Sequence, residues 1–486
     1  MKIRERIKAM VQNWLDIIPA TNQTILIQEK IPREIEILRS KIWYRGDANE
    51  LWQFFHQIET TQGSFWGTSP KKRKVRKLHS GLPAIIADTL AYIVSSDLDT
   101  IELNRQTEWE EIAEKIDFNS LVNKSIVDAL VDGDGAFKIS VDTALSKYPI
   151  VEFVGADNIE YEQSRGVLSA IIFKTDYTVK SKRYVLYERY GKGFVESKLY
   201  DNNGNEVSLD CVPELEGLSE LAMFKGDYIM AVPLKFFESK KYPGRGKSIF
   251  YGGKSDCFDA LDEVISQWID AIRAGRVQKY IPEDLIPRNP DDGRLEQVNS
   301  FGSEFIKLNT SLGDTTSSKI EVVQPDIKYD AFVSSYTNAL LMCLQGLVSP
   351  ATLGIDVGKM SSADAQREKK DVTGNTRNTI TGALENALPL LIEAVLKTYD
   401  NMNDRPPQDC GEITVSFGEY GAPDFDSRVE TVGKASTYGI MSVETQVDEL
   451  WGSSKDDEWK AEETQRIKYE KGLIEGSPSS VGDELA

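Results

Sequence analysis

Between residues 255 and 347 the sequence carries two apolar helical stripes with a short turn-rich segment between them, and few folds accommodate that order. The first runs from Ser255 to Arg276, where Phe258, Leu261, Val264, Ile265, Trp268, Ile269 and Ile272 recur at helical spacing. The second places Phe332, Val333, Tyr336, Leu340, Cys343, Leu344 and Leu347 three or four residues apart. The intervening Lys279–Pro325 contains PEDLIPRNPDDG, then strand candidates at Glu304–Leu308 and Ile320–Val323. This spacing predicts a small module carried on two helices that pack antiparallel as its stalk. Two helices alone cannot bury both apolar faces, so the remainder is expected to meet neighbouring copies of the chain.

The flanking regions predict an α+β protein, and 486 residues exceed what one compact core holds. Ile3, Ile7, Met10, Val11, Trp14 and Ile18 outline a basic amphipathic helix, and Leu51, Phe54, Phe55 and Ile58 a second helix from about Asp47. After an apolar helix at Leu82–Val94, a helix from Phe118 ends at Gly133-Asp-Gly135. Strands follow at Ala136–Val141, Ile150–Val154, Leu168–Lys174, Tyr184–Tyr190 and Phe194–Tyr200. Turn residues at Gly191-Lys-Gly193 and Asn202–Asn205 make these one antiparallel meander closing near Pro243–Gly246. Beyond the second stripe, SPATLGIDVGKMSSADA leads into a long helix over Ser361–Asp400, capped by Ser361 or Ser362. Pro389 lies inside that helix and predicts a kink near Glu385–Leu388. Glu412–Phe417 reads as a strand, Asp424–Leu473 as helices broken at Gly439 and Gly452, and EGSPSSVGDELA as a disordered tail.

Charge and motifs narrow the function. Asp and Glu total 77 against 57 Lys and Arg, a net charge of −20, which argues against a protein that grips DNA phosphates. The basic run SPKKRKVRKLHSG reads as a solvated approach to the next helix or as a nucleic-acid signal. Cys211, Cys257, Cys343 and Cys410 lack CxxC spacing, and His56 and His79 lack metal-ligand spacing. Pro243-Gly-Arg-Gly-Lys-Ser248 has Lys241 where a Walker A loop needs its first glycine, so it reads as a turn with a helix start. The expectation is a non-enzyme without metal or cofactor. The longest apolar stretches, Leu82–Ser95 and Asn338–Leu353, fall short of a membrane span, which predicts a soluble chain with no membrane partner.

In its order of parts the chain resembles the portal proteins of tailed bacteriophages, in particular long-tailed phages of Gram-positive hosts. VNKSIVDALVDGDGAFKISVD with YPIVEFVGADNIEYEQSRGVLSAIIF resembles the approach to the family's wing. GRGKSIFYGGKSDCFDALDEVISQWIDAIRAG resembles the first stem helix, and VSPATLGIDVGKMSSADAQREKKDVTGNT the tunnel loop and the start of the long helix. RVETVGKASTYGIMSVETQVDELWG resembles the wing-to-crown helices. The basic run has no counterpart in that pattern.

The resemblance implies a ring of about twelve subunits at one capsid vertex, assembled in the host cytoplasm and retained in the virion. DNA is packaged and ejected through it. Implied partners are the terminase large subunit, scaffolding and major capsid proteins, head–tail connector or adaptor proteins, and double-stranded DNA passing non-specifically. The implied parts are a wing at 1–251 and a stem at 252–277 and 328–348. A clip at 278–327, a tunnel loop at 349–362, a long kinked helix completing the wing at 363–423 and a crown and tail at 424–486 make up the rest. Asp256, Asp259, Glu263 and Asp270 read as a phosphate-repelling lumen lining or as an ordinary acidic outer face; Arg273, Arg276 and Lys359 as weak phosphate rings or as surface charges. The tunnel loop would comprise Gly354, Ile355, Asp356, Val357, Gly358, Lys359 and Met360, its glycines allowing it to follow a moving groove. Three alternatives remain: another structural head or adaptor protein of a virion, a metal-dependent nuclease using the clustered carboxylates, and a nuclear or nucleic-acid protein driven by the basic tract Lys71–Lys77.

Overall fold

The computed structural model describes residues 32–58, 64–68, 75–275, 278–282, 305–308, 321–323, 327–355, 363–418, 425–452 and 455–472. The helix expected at Ile3–Ile18, the caps Ser361 and Ser362, and the terminal EGSPSSVGDELA lie outside them.

The chain is α+β. Helices α1 (Arg33–Arg45), α2 (Ala48–Gln53) and α3 (Leu82–Ser96) precede strand β1 (Leu98–Glu102), α4 (Gln106–Lys115) and α5 (Phe118–Asp132). Strands β2 (Asp134–Ser140), β3 (Ile150–Gly155), β4 (Ile159–Ser164), β5 (Val167–Val179), β6 (Lys182–Gly191) and β7 (Phe194–Asp201) come next. The short strands β8 (Glu206–Val207) and β9 (Leu221–Met223) and then β10 (Ala231–Lys235) lead to helix α6 (Gly253–Ala274). Strands β11 (Gln278–Pro282), β12 (Phe305–Leu308) and β13 (Glu321–Val323) separate α6 from α7 (Tyr329–Leu344). Helix α8 (Ala363–Met402), strand β14 (Thr414–Phe417) and helices α9 (Phe425–Thr437), α10 (Val443–Trp451) and α11 (Asp457–Glu470) complete the chain.

These elements form two compact units. One comprises 1–88, 115–343 and 394–408; the other 89–114, 344–393 and 409–486.

In the first unit the expected single meander is two sheets. Strands β4 to β8 run antiparallel in sequence order, with β9 also on β7, whereas β2 and β3 join β10 in a separate sheet. The division falls at Gly155–Asn158, a single 3₁₀ turn with Ala156 buried that takes the chain from one sheet to the other. Strand β10, missed in the sequence because Pro233 interrupts it, pairs with β2 from Ala231–Lys138 to Lys235–Asp134. Helix α5 buries Val122, Ile126, Ala129 and Leu130, while Phe137 and Phe153 meet edge-to-face at 5.1 Å.

The Pro243–Ser248 segment has no helix start; helix α6 begins only at Gly253. It docks instead on Gly133-Asp-Gly135, so tightly that a Cβ on Gly246 would lie 1.9 Å from the Gly133 carbonyl oxygen. The fully buried Asp134 carboxylate accepts from Arg33 Nη2 at 2.8 Å, from Arg245 Nε and Nη2 at 2.9 and 2.8 Å, and from the Gly246 amide at 2.6 Å. Two glycine-flanked motifs 111 residues apart are thus the two halves of one buried ionic joint.

The second unit pairs β1 with β14 antiparallel and sets Arg377 of α8 against Asp97 at 2.8 Å and the Gly418 carbonyl. Thr373 accepts from the Ser349 amide at 2.9 Å. The tail helices α9, α10 and α11 break around Gly439 and Gly452.

Helix α8 runs through Pro389 without interruption. The stretch Val372–Met402 is long and apolar enough to cross a bilayer by length and composition, unlike the two stretches singled out in the sequence. Glu385 and Glu393 broke up the apolar run in the sequence. In the folded chain 56% of its eighteen-residue apolar window is buried, with Leu384, Leu388, Leu391, Ile392, Val395 and Leu396 inside the protein. That is the environment of a core helix.

Candidate functional site

Helices α6 and α7 run antiparallel, as three contacts along them establish. Near the start of α6, Lys254 Nζ donates to the carbonyls of Met342 and Cys343 at 2.9 and 3.0 Å, placing a cation at the C-terminal end of α7, where the helix dipole favours one. Further along, Trp268 stacks on Phe332 with ring centres 6.4 Å apart and also meets Tyr336. At the far end a Cβ on Gly275 would lie 2.7 Å from Ile327 Cδ1, which places the C-terminal end of α6 against the residues that lead into α7. Burial lowers the pKa of Lys254 and raises that of the Cys343 thiol to about 12.

The residues described between these helices are three strands in one sheet, ordered β12-β11-β13. Strand β11 pairs parallel with β12 (Lys279 opposite Phe305) and antiparallel with β13 (Lys279 opposite Val322). Among the described residues, three paired strands therefore stand between the two helices of the hairpin.

Beside the apolar stripe of α6 runs a polar row of which Ser255, Asp262 and Ser266 are buried and Asp259 half-buried. Ser255, Asp259, Asp262 and Ser266 recur every three or four residues, and each takes hydrogen from the segment 43–80. Ser255 accepts from Trp43 Nε1 at 2.9 Å and Ser266 from the Leu78 amide at 2.9 Å. Asp259 accepts the amides of Phe65 and Trp66 at 2.6 and 3.0 Å. Asp262, fully buried, accepts from Trp66 Nε1 at 3.0 Å, His79 Nδ1 at 2.7 Å and the Ser80 amide at 2.8 Å. Lys77 closes the arrangement by donating to the carbonyls of Phe65, Trp66 and Thr68.

The expected site residues are dispersed around this row. Asp256 is exposed; Glu263 is half-buried and accepts from Gln267 Nε2 at 2.7 Å; Asp270 is half-buried and Arg273 exposed. Asp259, which the sequence reading grouped with them, is held by the chain's own amides, and burial raises its pKa. Asp256, Glu263 and Asp270 keep a spacing of seven residues beside the docked row. Gly354 follows a 3₁₀ turn at Pro350–Leu353 with φ +68, and the Ile355 amide donates to the Pro350 carbonyl at 3.0 Å. Arg276, Asp356, Val357, Gly358, Lys359 and Met360 lie outside the described residues. Within the basic run, Lys77 serves the fold rather than a ligand.

Sequence reasoning missed Asp262. Its signal was available in Ser255, Asp259, Asp262 and Ser266, a row of small or acidic residues that continues the apolar stripe around the helix. Among the described residues no group of three His, Cys, Asp or Glu side chains could hold a metal ion. The hairpin leaves large apolar side chains in water: Ile272 is 46% exposed, Tyr329 62%, Leu341 41% and Met342 56%.

No protein-family model and no curated protein sequence matches the chain. Among solved structures it is similar to a chain from the neck of a native GTA particle computed with C12 symmetry, with a TM-score of 0.40 and 12% identity over 82% of this chain and 93% of that one. It is also similar to a chain of the virion of a native gene transfer agent (GTA) particle, with a TM-score of 0.36 and 12% identity over 90% and 95%. A chain from the neck of an empty GTA particle computed with C6 symmetry gives a TM-score of 0.36 and 12% identity over 81% and 93%.

Proposed function

We propose that this chain is the portal subunit of a tailed-phage-like particle, a structural component of the virion that forms a ring at one capsid vertex and performs no catalysis itself. The observation that carries the reading is the antiparallel hairpin of α6 and α7 interrupted by a three-stranded module, with apolar side chains of both helices left in water. In a ring those side chains pack on neighbouring hairpins, and head-to-tail contacts of this kind close into cycles. The module is the clip that meets the terminase large subunit and later the connector proteins; scaffolding and capsid proteins meet the outer parts.

The channel reading rests on Asp256, Glu263 and Asp270, without Asp259, whose carboxylate is committed to the fold. At −20 per chain, a ring of twelve carries a net charge of about −240. An acidic wall releases few counterions from DNA and offers it no strong well to stick in, so the duplex slides. Arg273 and Arg276 supply isolated cations there, and the segment from Gly354 to Met360 lines the narrowest point.

Deleting residues 354–359 is expected to leave rings intact and to reduce DNA packaging or retention, read as protected DNA per particle after nuclease treatment. Normal packaging by the deletion variant would remove the loop's role, and loss of rings would relocate it to assembly.

A further inference from the structure

Two of the chain's cysteines face each other inside the hairpin, and neither serves the polar row or the channel. Cys257 of α6 is half-buried, Cys343 of α7 is fully buried, and both are free thiols. The antiparallel register sets them opposite one another. Trp268 stacks on Phe332; Cys257 precedes Trp268 by eleven residues, and Cys343 follows Phe332 by eleven. Eleven residues are about three helical turns and about 16 Å of rise, so each cysteine lies on the aromatic's face of its own helix and at the same height. Lys254, one turn before Cys257, reaches the Cys343 carbonyl at 3.0 Å and fixes that height independently. Packed helices run about 8–10 Å apart, which brings facing Cα atoms to roughly 5 Å, within the span of a disulfide. Burial is the largest influence on the Cys343 thiol, and Cys257 is the next, ahead of Lys254 and Asp262.

We propose that Cys257 and Cys343 form a redox-responsive staple: a small-molecule disulfide such as oxidised glutathione joins them, and a dithiol reductant parts them. In the first step the Cys257 thiolate attacks one sulfur of the external disulfide, forming a mixed disulfide and expelling one glutathione thiolate. Cys257 is the point of entry because Cys343 is fully buried. In the second step Cys343 gives its proton to water, and its sulfur attacks Cys257 Sγ and expels the second glutathione thiolate. The two protein thiols lose two electrons and two protons to become one disulfide, and the external disulfide is reduced to two thiols. Burial keeps the Cys343 thiol protonated, its pKa pushed up to about 12, so the second step is the slow one. The bond closes the loop from 257 to 343, which contains β11, β12 and β13, and a crosslink across so long a loop restricts the unfolded chain. Under reducing conditions both residues stay thiols, so the hairpin is stapled only where its surroundings oxidise it. Both thiols belong to one chain, and the staple is independent of the ring.

Incubating the full chain with excess oxidised glutathione at about pH 8 without denaturant, then alkylating free thiols and digesting with trypsin, tests this. Mass spectrometry should find the peptides 255–273 and 329–359 joined, two hydrogens lighter than their thiol forms together. A glutathione adduct on 255–273 alone should precede them. The joined chain should unfold at a higher urea concentration than the same chain in dithiothreitol, and Cys257→Ser should show one midpoint under both conditions. Two unreacted thiols, an adduct on Cys257 that never gives way to the joined pair, or a joined pair with no shift in midpoint would overturn the proposal. The wild-type measurements decide it even if Cys257→Ser fails to fold.

Discussion

Replacing Asp262 by alanine should cost the fold about 3–5 kcal/mol, measured as a shift in the urea midpoint. The carboxylate is fully buried and satisfies Trp66 Nε1, His79 Nδ1 and the Ser80 amide at once. Its loss strands three donors and opens a cavity between α6 and the segment 64–80. Asp262→Asn retains one acceptor oxygen and should lose less. If Asp262→Ala were within 1 kcal/mol of wild type, the polar row would not be what anchors α6.

The second large effect is expected at Asp134. Asp134→Ala leaves Arg33 and Arg245, only 15% and 14% exposed, facing each other without a carboxylate, and strands the Gly246 amide. Uncompensated charge at this depth should again cost about 3–5 kcal/mol. Arg33→Ala should cost clearly less, because Asp134 keeps both bonds from Arg245. Equal losses for the two substitutions would mean that Arg245 alone does not keep the Asp134 carboxylate compensated. The same ordering should hold in salt, which screens buried pairs weakly.

Much of the hairpin was legible in the chain because its signal is local. An apolar period of three to four residues persists over both helices, and β12 and β13 fall at Phe305–Leu308 and Glu321–Val323, within a residue of the strand candidates. What was illegible depended on partners far away in sequence. Asp259 and Asp256 are chemically identical and three residues apart on one helix; only the Phe65 and Trp66 amides, 194 and 193 residues distant, separate a structural carboxylate from a solvated one. The pairing of β1 with β14 spans 316 residues between Thr100 and Ser416, so the exposed strand at Leu98–Glu102 had no local pattern to announce it. The Gly-Arg-Gly motif looked like a turn because its reason for being glycine-rich is the backbone of Gly133, which no local period encodes.

The same distinction bears on Lys77. A lysine in a basic run reads as surface charge, yet its three bonds to the carbonyls of residues 65–68 make it a clasp. Burial lowers its pKa, and the nearby Asp259 and Glu263 carboxylates offset this only in part.

Everything proposed for the channel depends on many hairpins standing side by side around an opening. Mass measurement of the purified chain by light scattering, together with negative-stain images of the same sample and of capsids containing it, tests that directly. Closed rings with a central hole and a mass about twelve times 54.5 kDa are expected. Particles of 54.5 kDa under every condition, with no ring in the capsids, would contradict it.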